Sequence, residues 1–366
     1  MKFQEFKNDN NEIDDKIINE EIDKLAEKSK KMVTDEKGEK LIDENSETDC
    51  NKISQIGSAY EKVSKTYLYK YKVFNPYEMI VKFTDFVDDN KEILKDSFDL
   101  VSDVKYCIQK KGKLNTRCAR FQYSGFRNIL MQQIRIYATN KCPPILNMIG
   151  YSIRKKKQYL FVENKGNGTL RSFINNPKHF KINQTQKLII AYGVASALES
   201  LHKNNIIHRN VNLSNISLDK DLHPYLSNFY FAVQIDTKLP YVVTETTPEF
   251  MSPEFIQDSK SNQLSFKLDV YSYGIVLFML ITENNPFKGL SKKKIFSNAL
   301  KGKRPNISHT VNKEWKELII QCWDQNPTNH PTFTNICNAI EKFVDMAAID
   351  LKSFNNYKAI INRNIQ

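Results

Sequence analysis

The sequence predicts an α+β fold with two lobes, a β-rich N-terminal lobe followed by a helical C-terminal lobe. Two observations support this prediction. Short runs of β-branched and aromatic residues dominate residues 51–163, whereas residues 164–345 carry apolar positions at helical spacing. A chain that places its strands first and its helices afterwards is typical of the α+β class.

The composition is that of a globular protein with an acidic start and a basic body. Of the 366 residues, 40% are hydrophobic, which argues against global disorder. Residues 1–50 carry 9 lysines against 16 acidic residues, net −7, so the overall charge of +12 leaves +19 on the remainder. A basic body can attract nucleic acid or anionic lipid, but no nucleic-acid motif accompanies the charge. We therefore expect solvated surface lysines and no nucleic-acid partner.

The cysteine pattern and the polar N-terminus predict a cytoplasmic or nuclear protein. The six cysteines are scattered, with no C-x-x-C pair and no histidine at metal-ligand spacing, which indicates reduced thiols. The charged N-terminus does not have the pattern of a signal peptide, so we do not expect secretion. The longest apolar run, from Tyr271 to Thr282, is too short to span a bilayer and predicts a buried helix.

We predict three segments along the chain. Residues 1–50 form a charged leader, which is either disordered or a short partner-binding helix, because its heptad-like apolar spacing covers only about two turns. Residues 51–345 form the folded domain, with the boundary between its lobes near residue 163. Residues 346–366 form a C-terminal tail.

Periodicity predicts the elements of both lobes. In the N-terminal lobe, a charged stretch over residues 84–125 is interpreted as a long connection, and the predicted strands and helix are Ile53–Val63, Tyr67–Phe74, Tyr77–Phe83, the helix Phe126–Ala138, Leu146–Ile153 and Tyr159–Glu163. In the C-terminal lobe, the predicted helices are Leu170–Asn175, Gln184–Lys203, Asp269–Thr282, Lys292–Lys301, Lys313–Asp324 and Phe333–Lys342.

Residues 206–216, which read I-I-H-R-N-V-N-L-S-N-I, carry the clearest motif. They resemble the catalytic loop of protein kinases, H-R-D-L-x-x-x-x-N, with His208, Arg209 and Asn215 in place. The position of the family's catalytic aspartate is Asn210. Asn212 stands where many family members carry a lysine that contacts phosphate.

Four further motifs follow in the order that this family shows. S-N-F-Y around Asn228 stands where kinases have D-F-G, and T-P-E-F-M-S-P-E, ending at Glu254, is similar to the segment that closes the activation loop. D-V-Y-S-Y-G begins at Asp269, and C-W…P…H-P-T-F covers residues 322–333. The last motif resembles the tyrosine-kinase-like (TKL) group. The chain is therefore identified as a member of the protein kinase superfamily, which implies a two-lobed kinase-like fold.

The departures from the family pattern fall on the residues that phosphoryl transfer needs. The chemistry requires one carboxylate to orient the substrate hydroxyl and another to hold Mg²⁺. The amide of Asn210 cannot act as a base, and Asn228 offers Mg²⁺ a neutral oxygen where an anionic one is preferred. We expect a pseudokinase that acts as a signalling module with a protein partner, itself a kinase or another signalling protein. The alternative is a weakly active TKL-type Ser/Thr kinase that uses a carboxylate elsewhere; Asp219 and Asp221, on the following hairpin, are expected to point away.

The resemblance also implies structural roles. His208 and Phe229 are expected to stack in a buried column with Tyr137 and Met148, above Asp269, whose carboxylate holds the backbone of the catalytic loop.

Two further contacts are implied at the activation segment. Arg209 is expected to pair with a phosphorylated activation loop. His330 replaces the arginine that pairs with Glu254, which implies a weaker, pH-sensitive contact.

In the N-terminal lobe the resemblance is thinner. Gly57 and Val63 stand in a degenerate glycine-rich loop, and Lys82 is the candidate for the lysine of V-A-I-K, with Lys110 as a rival. The usual glutamate partner of that lysine aligns with Gln133.

A nucleotide could still meet the predicted hinge. Val162 is expected at the back of the pocket, and Glu163 and Lys165 in the hinge, whose backbone could bind adenine. We expect no firmly bound cofactor, no metal, and at most weak ATP binding that does not depend on Mg²⁺.

Overall fold

A five-stranded antiparallel sheet begins the part of the chain that the computed structural model describes. That part comprises residues 86–88, 101–111, 114–123, 127–154, 157–175, 181–235, 247–257, 264–345 and 349–363. The strands are β1 (Phe86–Asp88), β2 (Val101–Lys111), β3 (Leu114–Tyr123), β4 (Met148–Arg154) and β5 (Lys157–Glu163). Their spatial order is β1-β2-β3-β5-β4.

Three of these strands correct the predicted organisation of the N-terminal lobe. Strands β1, β2 and β3 lie within residues 84–125, so the interpretation of this stretch as a connection is wrong. From Ala119 to Tyr123 in β3, apolar and polar residues alternate, as is typical of a strand. The strands expected before residue 84, together with Gly57, Val63 and Lys82, lie outside the described residues.

Helix α1 (Arg127–Thr139) follows β3 and confirms the helix predicted there. Its buried face carries Leu130, Ile134 and Tyr137, which recur at spacings of four and three residues. The predicted strand pair after the helix is confirmed as β4 and β5, which are antiparallel.

The C-terminal lobe is helical, as predicted. Its helices are α2 (Leu170–Asn175), α3 (Gln184–Lys203), α4 (Pro253–Gln257), α5 (Lys267–Thr282), α6 (Lys292–Leu300), α7 (Lys313–Cys322), α8 (Phe333–Glu341) and α9 (Leu351–Arg363). Helix α3 begins at a capping box, in which the side chains of Asn183 and Gln186 each accept a bond from the other residue's backbone N–H. Helix α5 is buried along nearly its whole length, which explains its continuous apolar sequence.

The segment predicted as a C-terminal tail is part of this lobe. Helix α9 buries Phe354, Tyr357 and Ile361. Phe354 packs edge-on against Tyr192 of α3, with ring centroids 5.4 Å apart. A Cβ atom at Gly193 would lie 2.2 Å from the hydroxyl of Tyr357, so only glycine allows α9 to approach α3 this closely.

Two short strand pairs frame the loops that carry the kinase-like motifs. Strand β6 (Ile206–Ile207) pairs with β9 (Val233–Gln234), and β7 (Ile216–Leu218) pairs with β8 (Pro224–Leu226). The loop between β6 and β7 and the loop between β8 and β9 are thereby held beside each other. Among the helices of the described part, none has the length and apolar character that crossing a membrane requires.

Candidate active site

The loop between β6 and β7 is held by one buried carboxylate. Asp269, at the start of α5, accepts hydrogen bonds from the backbone N–H groups of His208 and Arg209, both at 2.8 Å, and from Nε2 of His202 at 2.9 Å. Burial alone would raise the pKa of Asp269, but the bonds from His202 and the His208 backbone hold it below its ordinary value. The carboxylate therefore stays charged and fixes the start of the loop, including Arg209 in its left-handed conformation (φ 62°).

His208 is fully buried and links the two motif loops. Its Nδ1 accepts the backbone N–H of Asn210 at 3.2 Å, so Nε2 carries the proton and donates to the carbonyl oxygen of Ser227 at 3.0 Å. Burial lowers the pKa of His208. A neutral imidazole is the form that these two bonds require.

Three aromatic rings form a column from α1 to the loop between β6 and β7, which carries the motif that resembles a kinase catalytic loop. Tyr137 and Phe229 lie edge to face at a centroid distance of 4.6 Å, and Phe229 and His208 at 5.3 Å. The hydroxyl of Tyr137 also accepts the backbone N–H of Asn228 at 3.1 Å, and burial raises its pKa. Met148, the fourth expected member, lies half-buried at the start of β4.

Helix α1 is further fixed to the segment after Phe229. The side chain of Gln132 donates to the carbonyl oxygen of Ala232 at 2.6 Å. Its neighbour Gln133, for which the sequence predicts the position of the family's glutamate, is fully buried and neutral. The helix is thus held in place without the negative charge that would pair with a lysine.

Four asparagines, Asn210, Asn212, Asn215 and Asn228, form an asparagine cluster at the positions where kinases carry out chemistry. Nδ2 of Asn212 donates to Oδ1 of Asn210 at 2.8 Å. Nδ2 of Asn215 donates to the backbone carbonyl of Asn210 at 2.8 Å, and its Oδ1 accepts from Nδ2 of Asn228 at 3.1 Å. The cluster is therefore bonded within itself.

Asn212 has a local structural role in addition. Its Oδ1 accepts the backbone N–H groups of Ser214 and Asn215 and caps the short 3₁₀ turn Leu213–Asn215. Its Nδ2 also lies 3.5 Å from the hydroxyl of Thr247, at the end of the activation segment. A side chain engaged in this way is not placed to neutralise a phosphate, and an amide carries no charge to do so.

The asparagine cluster does not fit Mg²⁺. This ion takes near-octahedral oxygen ligands with one or two carboxylates among them. The cluster offers only neutral amide oxygens, and that of Asn215 already accepts a hydrogen bond. Oδ1 of Asn228 is buried and has no hydrogen-bond partner. It lies at the position where a kinase carboxylate would bind the metal ion, and it remains an unsatisfied polar atom.

The nearby acidic residues are engaged elsewhere. Asp219, on the turn between β7 and β8, accepts the backbone N–H groups of Asp221 and His223 and the hydroxyl of Tyr225. Burial alone would raise its pKa, but the bonds from His223 and the backbone lower it to about 2. Asp221 is exposed and pairs with Lys220. These acids stabilise their own turn.

The predicted hinge follows β5. The carboxylate of Glu163 forms an ion pair with Lys165 at 2.5 Å and accepts from Nδ2 of Asn147 at 3.3 Å. The ammonium of Lys165 lies 4.1 Å from the ring centroid of Tyr225. Val162 is buried and pairs in register with Ala119 of β3.

Strand β3 lies directly before α1 and beside the hinge strand, the place expected for the lysine strand. Its sequence, L-N-T-R-C-A-R-F-Q-Y, contains no lysine. Arg120 is buried, with its guanidinium 5.8 Å from the ring centroid of Tyr159. The sequence predicts a connection here and places the candidate lysine at Lys82 instead. The rival, Lys110, lies one strand away, in β2.

Of the two contacts expected at the activation segment, the pairing of Arg209 with a phosphorylated loop concerns residues 236–246, which lie outside the described residues. Arg209 donates to the carbonyl oxygen of Phe231 at 3.3 Å. The contact predicted between Glu254 and His330 is not formed, because Nε2 of His330 bonds to the carbonyl oxygen of Asp324 at 2.9 Å. Oε1 of Glu254 and Nδ1 of His330 are both buried without hydrogen-bond partners.

Comparison with known proteins places this site in a family. The profile described as protein tyrosine and serine/threonine kinase matches residues 119–340, more than half of the chain. The chain belongs to this kinase family. Its match begins at Ala119, inside β3, which agrees with the assignment of β3 as the strand before the first kinase helix. The five motifs of the C-terminal lobe, from His208 to Phe333, fall inside the matched region, whereas the candidates Gly57, Val63 and Lys82 lie before it.

The relatives of this kinase domain are longer proteins. It is 28% identical over 217 residues to a probable serine/threonine-protein kinase of Dictyostelium discoideum, covering 57% of the chain and 16% of the relative. It is 28% identical over 203 residues to the serine/threonine/tyrosine-protein kinase HT1 of Arabidopsis thaliana, covering 55% and 51%. A Dictyostelium RGS domain-containing serine/threonine-protein kinase is 26% identical over 227 residues, covering 62% and 19%. The match thus spans about half of the Arabidopsis relative and less than a fifth of the other two.

Proposed function

We propose that this kinase domain is a pseudokinase of the TKL group, which binds a signalling protein and does not transfer phosphate. The asparagine cluster is the observation that carries the proposal. Amides occupy the positions of the base and of the metal-binding carboxylate, Asn210 and Asn228, and Asn215 links them by one hydrogen bond to each residue. Loss of a general base alone costs about 10²–10⁴ in rate, and loss of the metal removes several kcal/mol of charge stabilisation as well.

The described part of the N-terminal lobe adds a further loss. A kinase pairs a strand lysine with a helix glutamate to hold the ATP phosphates. Strand β3 has no lysine, and α1 carries Gln133 at the glutamate position. Both halves of this ion pair are therefore absent from the two elements that should supply it.

What the domain keeps supports a binding role. The ring column of Tyr137, Phe229 and His208 is assembled, and Asp269 holds the loop beneath it. A fold that retains this internal framework without reactive groups presents a rigid surface to a partner, which we take to be a protein kinase or another signalling protein. The five cysteines of the described part form no disulfide, which supports a cytoplasmic or nuclear location.

A thermal-shift assay with ATP tests the proposal. A ligand present at 100 times its Kd stabilises the folded state by about 2.7 kcal/mol, which raises Tm by roughly 5 °C or more in a domain of this size. We expect 1 mM ATP to shift Tm by less than about 1 °C, with no further increase on adding Mg²⁺. A shift of several degrees that requires Mg²⁺ would contradict the assignment of Asn228.

The variant Asn228→Asp is a matched control for this assay. It replaces one amide nitrogen by oxygen and leaves the size of the side chain unchanged. If the missing carboxylate is what excludes the metal, this variant responds to Mg²⁺ with ATP more strongly than the natural chain does. Equal responses of the two proteins would show that the residue at position 228 does not control metal binding.

A weakly active Ser/Thr kinase is the second candidate. Its support is that the ring column and Asn215 are retained and that the relatives named above are serine/threonine kinases. It would need a carboxylate at the catalytic loop that comes from outside the asparagine cluster. Phosphate transfer from ATP separates the two candidates.

A further inference from the structure

Two cysteines face each other across neighbouring strands of the N-terminal sheet. Cys107 of β2 and Cys118 of β3 are directly opposite partners in the antiparallel register. Their Sγ atoms lie 2.7 Å apart, and both side chains are buried. Opposite residues in an antiparallel pair have Cα atoms about 4.5–5.5 Å apart, within the range that a disulfide spans. No backbone movement is needed to join them.

The surroundings favour Cys118 as the reactive thiol of the pair. The hydrogen bond with Cys107 lowers the pKa of Cys118, against burial, and the backbone N–H of Gln109 and the charge of Arg120 act in the same direction. The other described cysteines differ: burial raises the pKa of Cys142 to about 11 and that of Cys337 to about 12. Because the thiolate is the form that reacts, oxidation should select the Cys107–Cys118 pair.

We propose that Cys107 and Cys118 are a redox modification site, which forms a cross-strand disulfide when the protein reacts with hydrogen peroxide. The thiolate of Cys118 attacks one oxygen of hydrogen peroxide, the O–O bond breaks and hydroxide leaves, which gives a sulfenic acid. The sulfur of Cys107 then attacks the sulfenic sulfur, the S–S bond forms and the oxygen leaves as water. In sum, two thiols lose two electrons, and one peroxide becomes two waters. A small-molecule thiol reverses the step by exchange.

The position of the pair gives the modification a structural consequence. Cys118 pairs in register with Glu163, the predicted hinge residue, on its other side. Its neighbour Ala119 pairs with Val162. The disulfide would therefore join β2 to β3 covalently beside the predicted hinge. Oxidation would then restrict the movement of the part of the sheet that a nucleotide or a partner would contact. This proposal does not depend on whether the domain transfers phosphate.

Thiol counting on the full 366-residue chain tests the proposal. The protein is treated with hydrogen peroxide at neutral pH, quenched with catalase, unfolded in the presence of a maleimide, and digested with trypsin. We expect four of the six cysteines to be labelled. The peptides Tyr106–Lys110 and Cys118–Arg120 should appear joined and lighter by two hydrogens, and a thiol reductant should separate them. Closure of this short loop should raise Tm by about 5 °C.

Two variants sharpen the test. Cys118→Val removes the reactive thiol while keeping a small apolar side chain, and should keep all five remaining thiols. Cys142→Ala removes a thiol that should not react, and should still form the joined peptide. Six labelled thiols after oxidation, a joined peptide from any other pair, or an equal loss of thiols in Cys118→Val would each overturn the proposal. The peptide map of the natural chain decides the matter even if a variant fails to fold.

Discussion

Replacing Asp269 by asparagine should destabilise the kinase domain by about 3–5 kcal/mol. Oδ1 of Asp269 accepts the backbone N–H of Arg209. Oδ2 accepts the backbone N–H of His208 and the ring N–H of His202. An asparagine keeps one acceptor oxygen and turns an N–H₂ group toward the other donors. At least one bond to a charged acceptor is lost, worth about 1.5–3 kcal/mol, and a buried donor is left without an acceptor at a further 1–3 kcal/mol.

Equilibrium unfolding in denaturant measures this loss, with a matched exchange on the surface as the control. Asp350 is exposed and caps α9 through bonds to the backbone and hydroxyl of Ser353. Because asparagine caps helices as well as aspartate does, Asp350→Asn should change the unfolding free energy by less than about 0.5 kcal/mol. If Asp269→Asn and Asp350→Asn had similar effects, the reasoning that one buried carboxylate holds the catalytic-type loop would be refuted.

Three further predictions follow from the described packing. Phe354→Ala should cost about 3–5 kcal/mol of unfolding free energy because α9 is part of the core, whereas the exposed Ile360→Ala should cost under about 1 kcal/mol. Tyr137→Phe should cost about 1 kcal/mol, since the ring stays and only the acceptor for the Asn228 N–H is lost. The pKa of His208 is lowered in the folded state, so below about pH 6.5 the unfolded chain binds a proton that the folded chain does not. The free energy of unfolding should therefore decrease as the pH is lowered from about 6.5, by up to about 1.4 kcal/mol per pH unit.

Each of these predictions has its own check. A small effect of Phe354→Ala would mean that α9 is a tail outside the folded domain, as the sequence predicts. Unchanged stability in Tyr137→Phe would show that its hydroxyl does not hold the Asn228 backbone. For His208, the pH dependence of unfolding is compared with that of His208→Phe, and equal slopes below pH 6.5 would contradict the buried neutral imidazole.

The C-terminal lobe was predictable from the sequence because its signals are local. Each of its predicted helices is present, since the apolar spacing of a helix is set within a few turns. The positions of Asn210, Asn215 and Asn228 followed from motifs of fixed length. The motifs could not show that Asn215 forms hydrogen bonds with both of the other residues, since that depends on how two separate loops are held together.

The prediction of a connection over residues 84–125 of the N-terminal lobe is wrong for a physical reason. The stretch that contains β2 and β3 is rich in charged residues, and polar and apolar residues alternate irregularly along these strands, so the sequence signal for a strand is weak. The resemblance to V-A-I-K points to Lys82, whereas β3, directly before α1, contains no lysine. The pairing of Cys107 with Cys118 was equally hidden, because a strand register joins residues that the sequence shows only as scattered cysteines.

Transfer of labelled phosphate from ATP tests the central claim most directly. The full chain is incubated with [γ-³²P]ATP and Mg²⁺ or Mn²⁺, alone and with a generic Ser/Thr protein substrate, beside the variant Asn228→Ala. We predict no incorporation above that of a heat-denatured sample in either protein. Incorporation by the natural chain that grows with its concentration and disappears in Asn228→Ala would contradict the account, because it would mean that an amide at this position supports the transfer.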